Sequence, residues 1–275
     1  MIPGSWTSVR VRAPRNRAAV ASALFELGAE GIHELDDDLI THIRDIDRSR
    51  VDTILQQADA GARVEFSPTP MIDWSSEWRS RIASHRVGRL VVTPPWLAHR
   101  FTEAERITID PGMAFGTGDH ETTRGVLSLM QRVIRDGDVV ADLGAGSAVL
   151  AIGAAKLGAR RAVAIELDPD AIGNAEENTR TNRVFDTVTV LEGDAKLLLP
   201  LIAPVRVVLA NIISAVLIEL LPVVKSALED QGVAILGGIL SAEKDEMQSE
   251  FRNGGWRVVD SDEEGLWWSV TIALQ

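Results

Sequence analysis

The spacing of hydrophobic positions divides the chain into a short first part and a longer second part. In residues 1–66, the stretches SWTSVRVRAP, EGIHELD, LITHIRDI and ARVEFSP alternate between apolar and polar positions, as half-buried strands do. Between them, RNRAAVASALFELG and RSRVDTILQQADAG have the spacing of amphipathic helices. The order βαββαβ predicts a small ferredoxin-like α+β domain.

Residues 67–104 are predicted to connect the two parts. The segment SPTPMID begins a linker, because its two prolines disfavour regular structure. DWSSEWRSRIASH then predicts a short helix with Trp74 and Trp78 on one face, which we interpret as a packing anchor between domains. RLVVTPPWL and, just beyond the linker, RITIDPG predict two strands.

Residues 105–275 alternate between apolar strands and helices. The predicted strands are VVADLG, RAVAIELD, TVTVLEGD, VRVVLAN and GVAILGG, and the tail WRVVDSDEEGLWWSVTIAL predicts two more around an acidic turn. Near-continuous apolar strands separated by helices are typical of a parallel sheet covered on both faces. We therefore predict an α/β domain with a Rossmann-like sheet and a C-terminal antiparallel hairpin.

The amino-acid composition of the chain excludes several classes of function. The chain has no cysteine, which excludes disulfides, thiol nucleophiles and thiolate metal sites, and its five scattered histidines lead us to expect no metal site. A net charge of −12 argues against direct nucleic-acid binding and suits a basic, lysine-rich protein partner, although acidity that serves only solubility is the alternative. Because the sequence has neither a membrane-length apolar run nor a signal-peptide core, we expect a cytoplasmic protein without a membrane partner. We also expect it to be a monomer.

Ligands of such sheets bind beyond the carboxyl ends of the strands, so those ends hold the first candidates. The first strand runs into DLGAGSAVL, which contains Asp142, Gly144 and Gly146, with Ala148 where a third glycine is expected. Glycines here let a ligand approach the backbone just before a helix begins. A tight turn between strand and helix would use the same residues, so the motif alone leaves both interpretations open.

Polar side chains end the next three strands. Glu166 lies at the spacing from Gly144 at which a carboxylate accepts hydrogen bonds from ribose hydroxyls, although a charge at a helix start is the alternative. Asp194 could accept a hydrogen bond from an adenine amino group or serve as a turn residue. Asn211 could hold an amine nucleophile through its carbonyl oxygen or cap the next helix.

Two cofactor classes compete for the glycine turn. A nicotinamide cofactor uses G-x-G-x-x-G to bring its pyrophosphate onto the helix N-terminus, but Val149 stands at the sixth position. S-adenosylmethionine has no pyrophosphate and requires less of this turn, and the closing antiparallel hairpin also favours a methyltransferase. Methyl transfer is therefore the leading hypothesis, with a nicotinamide-dependent oxidoreductase and a non-catalytic binding module as alternatives.

Several longer motifs carry a family resemblance. DPGMAFGTGDHETT, DLGAGSAVLAIGAAKLGA, ELDPDAIGNAEENTRTN, VVLANII and the segment DWSSEWRSRIASHRVGRLVVTPPW together resemble the PrmA family, the methyltransferases of large-subunit ribosomal protein eleven. The resemblance runs from about Asp73 to the C-terminus. It implies S-adenosylmethionine as the methyl donor, lysine or N-terminal amines of that ribosomal protein as acceptors, and residues 1–66 as the substrate-recognition domain. Another lysine-bearing protein, such as an electron-transfer flavoprotein subunit, is the alternative acceptor.

The resemblance also implies a set of site residues. It assigns cofactor contacts to Thr123, Gly144, Glu166 and Asn211, and it adds Phe115 and Gly116 as lining of the same pocket. With the strand-end residues included, the predicted cofactor-binding set is Phe115, Gly116, Thr123, Asp142, Gly144, Gly146, Glu166, Asp194 and Asn211.

Asn211 is also the predicted catalytic residue, and three positions depart from the family pattern. Asp119, Ala148 and Glu166 replace the residues usual in the family, so that Glu166 must reach the ribose with a longer arm. We interpret His120 as a hydrogen-bond partner that orders the loop, and we expect Asp119 to cap the following helix.

Overall fold

The computed structural model describes residues 6–12, 14–29, 32–35, 37–44, 46–68, 82–110 and 120–275. Contacts between residues divide the chain into two compact units, Met1–Arg81 and Ile82–Gln275. The domain boundaries that the sequence predicts at residues 66 and 104 stay predictions. The predicted helix that carries Trp74 and Trp78 lies outside the described residues up to residue 81, and its predicted last four residues, 82–85, are not helical, since His85 begins a strand.

The first unit contains a four-stranded antiparallel sheet and two helices. Its elements are β1 (Trp6–Arg12), α1 (Arg17–Glu26), β2 (His33–Leu35), β3 (Asp38–Arg44), α2 (Arg48–Ala58) and β4 (Arg63–Pro68). The strands lie in the order β2-β3-β1-β4, and the chain order βαββαβ agrees with the sequence prediction.

Alternation along the strands builds the core of the first unit. Val9 and Val11 of β1 are buried, whereas Arg10 between them is half-buried and bonds Asp38 on the neighbouring strand β3. Both helices begin at a side-chain cap, Asn16 for α1 and Asp47 for α2. The buried apolar set is Val9, Val11, Val20, Ala23, Leu24, Ala29, Leu39, Ile43, Val51 and Leu55.

The second unit begins with a small three-stranded sheet. β5 (His85–Val87) pairs antiparallel with β6 (Leu90–Thr93), and β6 pairs parallel with β7 (Arg106–Thr108). A 3-10 turn over Pro95–Arg100 separates β6 from β7. The sequence predicts β6 and β7 correctly. Their apolar side chains share one core with the helix α3 (Glu121–Val133).

The large sheet has seven strands. Its elements are β8 (Val139–Leu143), α4 (Val149–Lys156), β9 (Arg161–Glu166), α5 (Pro169–Thr181), β10 (Val188–Glu192), α6 (Ala195–Ile202), β11 (Val205–Asn211), α7 (Ser214–Ala227), β12 (Leu228–Leu240), α8 (Lys244–Asn253), β13 (Trp256–Glu264) and β14 (Trp267–Leu274).

The strand order of this sheet is β10-β9-β8-β11-β12-β14-β13. β14 is antiparallel to both of its neighbours, and the other neighbouring pairs are parallel, so the predicted Rossmann-like sheet with a C-terminal hairpin is confirmed. Because the chain leaves β8 for β9 and returns beside β8 as β11, the strand order reverses between β8 and β11.

Helices cover both faces of the large sheet, as the apolar strands require. Successive residues of one strand belong to opposite cores: Val140 packs with α3 and α4, and Ala141 packs with α7 and α8. The helix α6 is absent from the sequence prediction, and the acidic residues of the tail lie in β13 rather than in the turn. Within the described ranges, we find no helix of the length and hydropathy needed to cross a bilayer.

Candidate functional site

A cleft of about 330 Å³ opens at the carboxyl edge of the large sheet. The strands β8, β9, β10 and β11 end there, at the reversal of strand order where sheets of this kind bind ligands. Its lining includes Gly144, Glu166, Leu167, Asp194, Ile212 and Val216. The volume lies at the lower end of the range for small-molecule sites, and a mostly apolar wall with a few carboxylates is typical of them.

The glycine turn after β8 brings bare backbone to the cleft. Gly144 and Gly146 both have positive φ angles, 67° and 51°, which glycine adopts at little cost. A Cβ atom on Gly144 would lie 2.7 Å from Cγ2 of Ile212, so a side chain there would displace the residue that follows Asn211. The turn is therefore both a backbone requirement and a wall of the cleft.

Asp142 lies beneath the turn and is not among the residues that line the cleft. Its Oδ2 accepts a hydrogen bond from the backbone N–H of Ala151 (3.0 Å), in the first turn of α4. That helix begins at Ala148, which has φ 62° and no side-chain acceptor, so Asp142 supplies the missing cap from the strand. Asp142 therefore supports the start of the helix, and its predicted contact with a cofactor stays a prediction.

Burial governs the protonation of Asp142. The side chain is fully buried, and this desolvation raises its pKa to about 7. The Ala151 N–H lowers the pKa and the nearby charge of Glu166 raises it further, and burial is the largest of the three effects. Its Oδ1 has no hydrogen-bond partner in the described part of the chain.

Glu166 ends β9 and folds back onto the backbone. Its Oε2 accepts the N–H of Gly146 (2.7 Å), and its Oε1 accepts the N–H groups of Leu167 (2.8 Å) and Asp168 (2.9 Å). A carboxylate has about four acceptor positions. One position on Oε2 is left for a ligand, fewer than the two that the ribose hypothesis requires.

Asp194 follows the end of β10, where it can both cap the next helix and contact a ligand. It lines the cleft, and its Oδ1 accepts the N–H of Lys196 (2.8 Å) as the N-cap of α6. The turn interpretation is thus present in the structure, while the second carboxylate oxygen can still face a ligand. Lys196 and Glu219, which form an ion pair between α6 and α7, line the same cleft.

Asn211 ends β11 beside the helix α3. Its Nδ2 donates to Oγ1 of Thr123 (3.3 Å), a fully buried side chain of α3. Its Oδ1 is buried without a hydrogen-bond partner among the described residues. A Cβ atom on the neighbouring residue Gly237 would lie 2.9 Å from that oxygen, so the glycine leaves room for the carboxamide. A buried unpaired acceptor is costly, and a ligand N–H is one way to satisfy it.

His120 begins the helix α3. Its Nδ1 accepts the N–H of Thr122 (3.3 Å), and its ring lies edge-on to Trp267 with centroids 4.9 Å apart. The N-cap of α3 is thus His120, and the expectation that Asp119 caps this helix is wrong. His120 thus orders the start of the helix, and its predicted role in ordering the preceding loop stays a prediction. Phe115, Gly116 and Asp119 themselves lie outside the described residues.

The structure thus brings Gly144, Glu166 and Asp194 together around one cleft. Gly146 is hydrogen-bonded to Glu166, and the Asn211–Thr123 pair is next to Ile212 of the lining without lining the cleft itself. The sequence misses the wall formed by α6 and α7, and the apolar run AKLLLPLI is the signal that could have revealed α6. Where side chains are described, no group of three or more is arranged to hold a metal ion.

These features define the class of protein. A seven-stranded sheet whose last strand inserts antiparallel, with a glycine turn at the first strand end and a carboxylate at the second, is the arrangement of an α/β methyltransferase. The family follows from comparison with known proteins.

The family model for ribosomal protein L11 methyltransferase (PrmA) matches residues 45–275. A ribosomal protein L11 methyltransferase of Myxococcus xanthus is 39% identical over 217 residues, covering 78% of this chain and 73% of the relative. One of Clostridium perfringens is 33% identical over 243 residues, covering 87% and 75%. A crystal structure of a ribosomal protein L11 methylase from Lactobacillus delbrueckii subsp. bulgaricus aligns with a TM-score of 0.64 at 28% identity, covering 70% of this chain and 100% of that one. This chain therefore belongs to the ribosomal protein L11 methyltransferase family, which confirms the resemblance seen in its sequence.

Proposed function

We propose that this protein methylates lysine side-chain or N-terminal amines of ribosomal protein L11 with S-adenosylmethionine as the methyl donor. Family membership supports the reaction and the acceptor protein. The observation that carries the site is the buried, unpaired Oδ1 of Asn211, because it is an acceptor suited to a substrate N–H group and the next residue, Ile212, lines the cleft.

The residues of the cleft fit this donor. The backbone at Gly144, which carries no side chain, permits the cofactor to approach closely. The remaining acceptor position of Glu166 suits one ribose hydroxyl, and Oδ2 of Asp194, which does not cap α6, suits an amino group. Leu167 and Val216 supply apolar wall for a flat ring. We propose that these residues hold S-adenosylmethionine, with Thr123 and Asn211 at the end where the reacting group lies. Phe115 and Gly116 remain proposed contacts by family resemblance.

When bound, S-adenosylmethionine supplies a methyl group on a sulfonium centre. The protein then has to hold the substrate amine in line with that methyl group and to remove the water that hydrates the amine. Thr123 accepts from Nδ2 of Asn211 and thereby turns Oδ1 toward the substrate, where it accepts an N–H of the amine. Orientation of this kind accounts for a large share of catalysis in reactions that need no strong base.

The amine must be neutral before it attacks. The ordinary pKa is about 10.4 for lysine and about 8 for an α-amine. Removal from water lowers these values, since desolvation disfavours the charged form. Glu166 is bonded to three backbone N–H groups and Asp142 is buried below the turn, so neither is placed as a base, and the proton passes to water.

Asn211→Ala tests the assignment, with Thr123→Ser as the matched variant that keeps the hydroxyl. We expect kcat to fall at least about 100-fold in Asn211→Ala, the usual scale for loss of a preorganised polar contact. The dissociation constant of S-adenosylhomocysteine, measured by calorimetry, should change by less than about threefold. Equal losses in kcat and in cofactor affinity would reduce Asn211 to a cofactor contact.

The remaining features of the proposal concern the whole protein. We propose that residues 1–66 recognise the ribosomal protein, that the enzyme acts as a monomer in the cytoplasm, and that it binds no nucleic acid directly. The net charge of −12 supports a basic protein partner and opposes phosphate binding.

A further inference from the structure

Three chain segments meet at the carboxyl edge of the large sheet next to Asn211, and each exposes a large apolar side chain. These are Ile213 (66% exposed), Leu240 (37%) and Leu266 (74%). Scattered apolar side chains on a surface are ordinary, but several at one edge of a site mark an interaction surface.

Hydrogen bonds hold the three segments together. Oε2 of Glu243 accepts from Oγ of Ser214 (2.5 Å), which follows Ile213, and from the N–H of Leu240 (3.0 Å). The N–H of Ser241 donates to the carbonyl of Leu266 (2.8 Å). The three apolar side chains are thus carried by linked backbone, not by independent loops.

The same segments lie against the proposed amine site. Asn211 is paired with Gly237 in the sheet, and Gly238 packs against the backbone of Ile212. At the other side, Trp267 pairs with Leu240 and contacts His120, one helical turn before Thr123. This edge is therefore next to the place where an amine would meet Asn211.

Carboxylates are frequent in the two chain segments that carry Leu240 and Leu266. Residues 240–246 and 260–266 contain seven acidic residues and one lysine. Two arginines of α3 pair with this group, Arg124 with Glu264 and Arg132 with Asp260, which leaves an excess of four negative charges. The second unit thus has an acidic surface with an apolar centre beside the site.

We propose that this acidic rim, defined as Ile213, Leu240 and Leu266 with the carboxylates of residues 240–246 and 260–266, docks the amine-bearing segment of the protein substrate. The inference rests on the proposed function, because a ribosomal protein that binds RNA phosphates carries an excess of lysine and arginine. Apolar contact supplies affinity, and the carboxylates attract and orient the basic segment. The rim thereby selects an amine in a basic chain with a nearby apolar side chain.

The test compares methylation of ribosomal protein L11 by full-length wild type, Leu240→Ser/Leu266→Ser and the control Phe185→Ser. Phe185 is equally apolar and 57% exposed, but it precedes β10 and so lies at the opposite edge of the sheet. In the double variant, KM for the protein should rise at least about tenfold, since each 1.4 kcal/mol of lost contact is tenfold. Its kcat should stay within about twofold, and the calorimetric affinity for S-adenosylhomocysteine should be unchanged. Phe185→Ser should behave as wild type.

Salt provides a second measurement. The wild-type KM should rise with ionic strength, and Asp245→Asn/Glu246→Gln should weaken that dependence. If wild type methylates the protein and Leu240→Ser/Leu266→Ser has the same KM as Phe185→Ser, the docking role of the acidic rim is wrong while the proposed function stands. If wild type binds the cofactor but does not methylate the protein, the proposed function fails and the rim inference fails with it.

Discussion

Glu166 shows at the scale of one residue how a site is set by its hydrogen-bond partners. Three backbone N–H groups occupy the carboxylate and leave one position on Oε2 toward the cleft. Its Oε2 reaches across to the N–H of Gly146, in the glycine turn that follows β8. The same side chain therefore holds the glycine turn and is available to one hydroxyl of a ligand.

Replacing Glu166 by alanine should weaken binding of S-adenosylhomocysteine at least about tenfold, because a charge-assisted hydrogen bond and the order of the turn are both lost. Glu192→Ala is the matched control, since Glu192 pairs with Glu166 on the neighbouring strand and is exposed outside the cleft lining. Calorimetry measures the affinity of both variants for S-adenosylhomocysteine. Unchanged affinity in Glu166→Ala would remove the residue from the proposed site.

Asp142 should make stability depend on pH. Its pKa is raised to about 7 by burial, above the ordinary value of 3.8, so the folded protein holds a proton that the unfolded chain releases. The stabilisation is complete below about pH 4 and is lost as the pH rises through about 7. Relative to Asp142→Asn, which does not titrate, wild type should lose stability to urea between pH 5 and pH 8. Parallel stability profiles for the two proteins would contradict this account.

Site residues were predictable from the sequence where they end strands of the parallel sheet. They were not predictable where their role depends on packing against distant parts of the chain. Glu166, Asp194 and Asn211 each end a strand, and parallel strands place such ends at one edge. Asp142 looks alike in the sequence, but it lies one residue before the end of β8, paired with Leu209 and Ala164 of the neighbouring strands, so it is buried. The unpaired oxygen of Asn211 depends on Thr123 and Gly237, which are far away in the chain.

At the scale of elements, a residue with a strained backbone follows the end of α5. Thr181 is its last residue, Asn182 the C-cap, and Arg183 follows with φ 58°, in the left-handed region. Arg183 is exposed and forms a surface ion pair with Glu103, a contact of small energetic value.

Arg183→Gly should be more stable than Arg183→Ala by about 1 kcal/mol, because both lose the ion pair and only glycine adopts this conformation freely. Urea denaturation of the two variants at one pH measures the difference. If alanine is as stable as glycine, the left-handed conformation of residue 183 does not carry the expected cost.

The helix α3 and the strand β13 form a contact that sequence patterns do not reveal. Arg124, Ser128 and Arg132, four residues apart, meet Glu264, Asp262 and Asp260, two residues apart. The match arises because four helical residues rise about 6 Å and two strand residues rise about 6.6 Å. The sequence interpretation placed these acids in a turn, since alternating acids on an edge strand resemble a polar loop. Gly265 and Leu266 form the actual turn.

At the scale of the molecule, the alternation of strands and helices was sufficient to predict the Rossmann-like sheet of the second unit and the βαββαβ order of the first. Strand direction follows from right-handed crossovers, and the closing hairpin follows from its two adjacent apolar strands. The wall of the cleft was less predictable, because α6 is short and contains Pro200, so its pattern is weak. The acidic rim is absent from the prediction for a different reason: it joins three segments that only the fold brings together.

The two-unit organisation gives a prediction about substrate choice. A chain without residues 1–66 should keep its calorimetric affinity for S-adenosylhomocysteine, because Gly144, Glu166, Asp194 and Asn211 all belong to the second unit. Methylation of ribosomal protein L11 should fall below detection in the same preparation. Activity at the wild-type level would contradict the recognition role proposed for the first unit.

The most direct test of the central claim is the intact mass of unmethylated ribosomal protein L11 after incubation with this enzyme and S-adenosylmethionine. The account predicts a rise in steps of one CH₂ unit, absent without the donor and at least about 100-fold slower with Asn211→Ala. An unchanged mass, with cofactor binding intact by calorimetry, would contradict it. The acceptor would then lie in another lysine-bearing protein, such as an electron-transfer flavoprotein subunit.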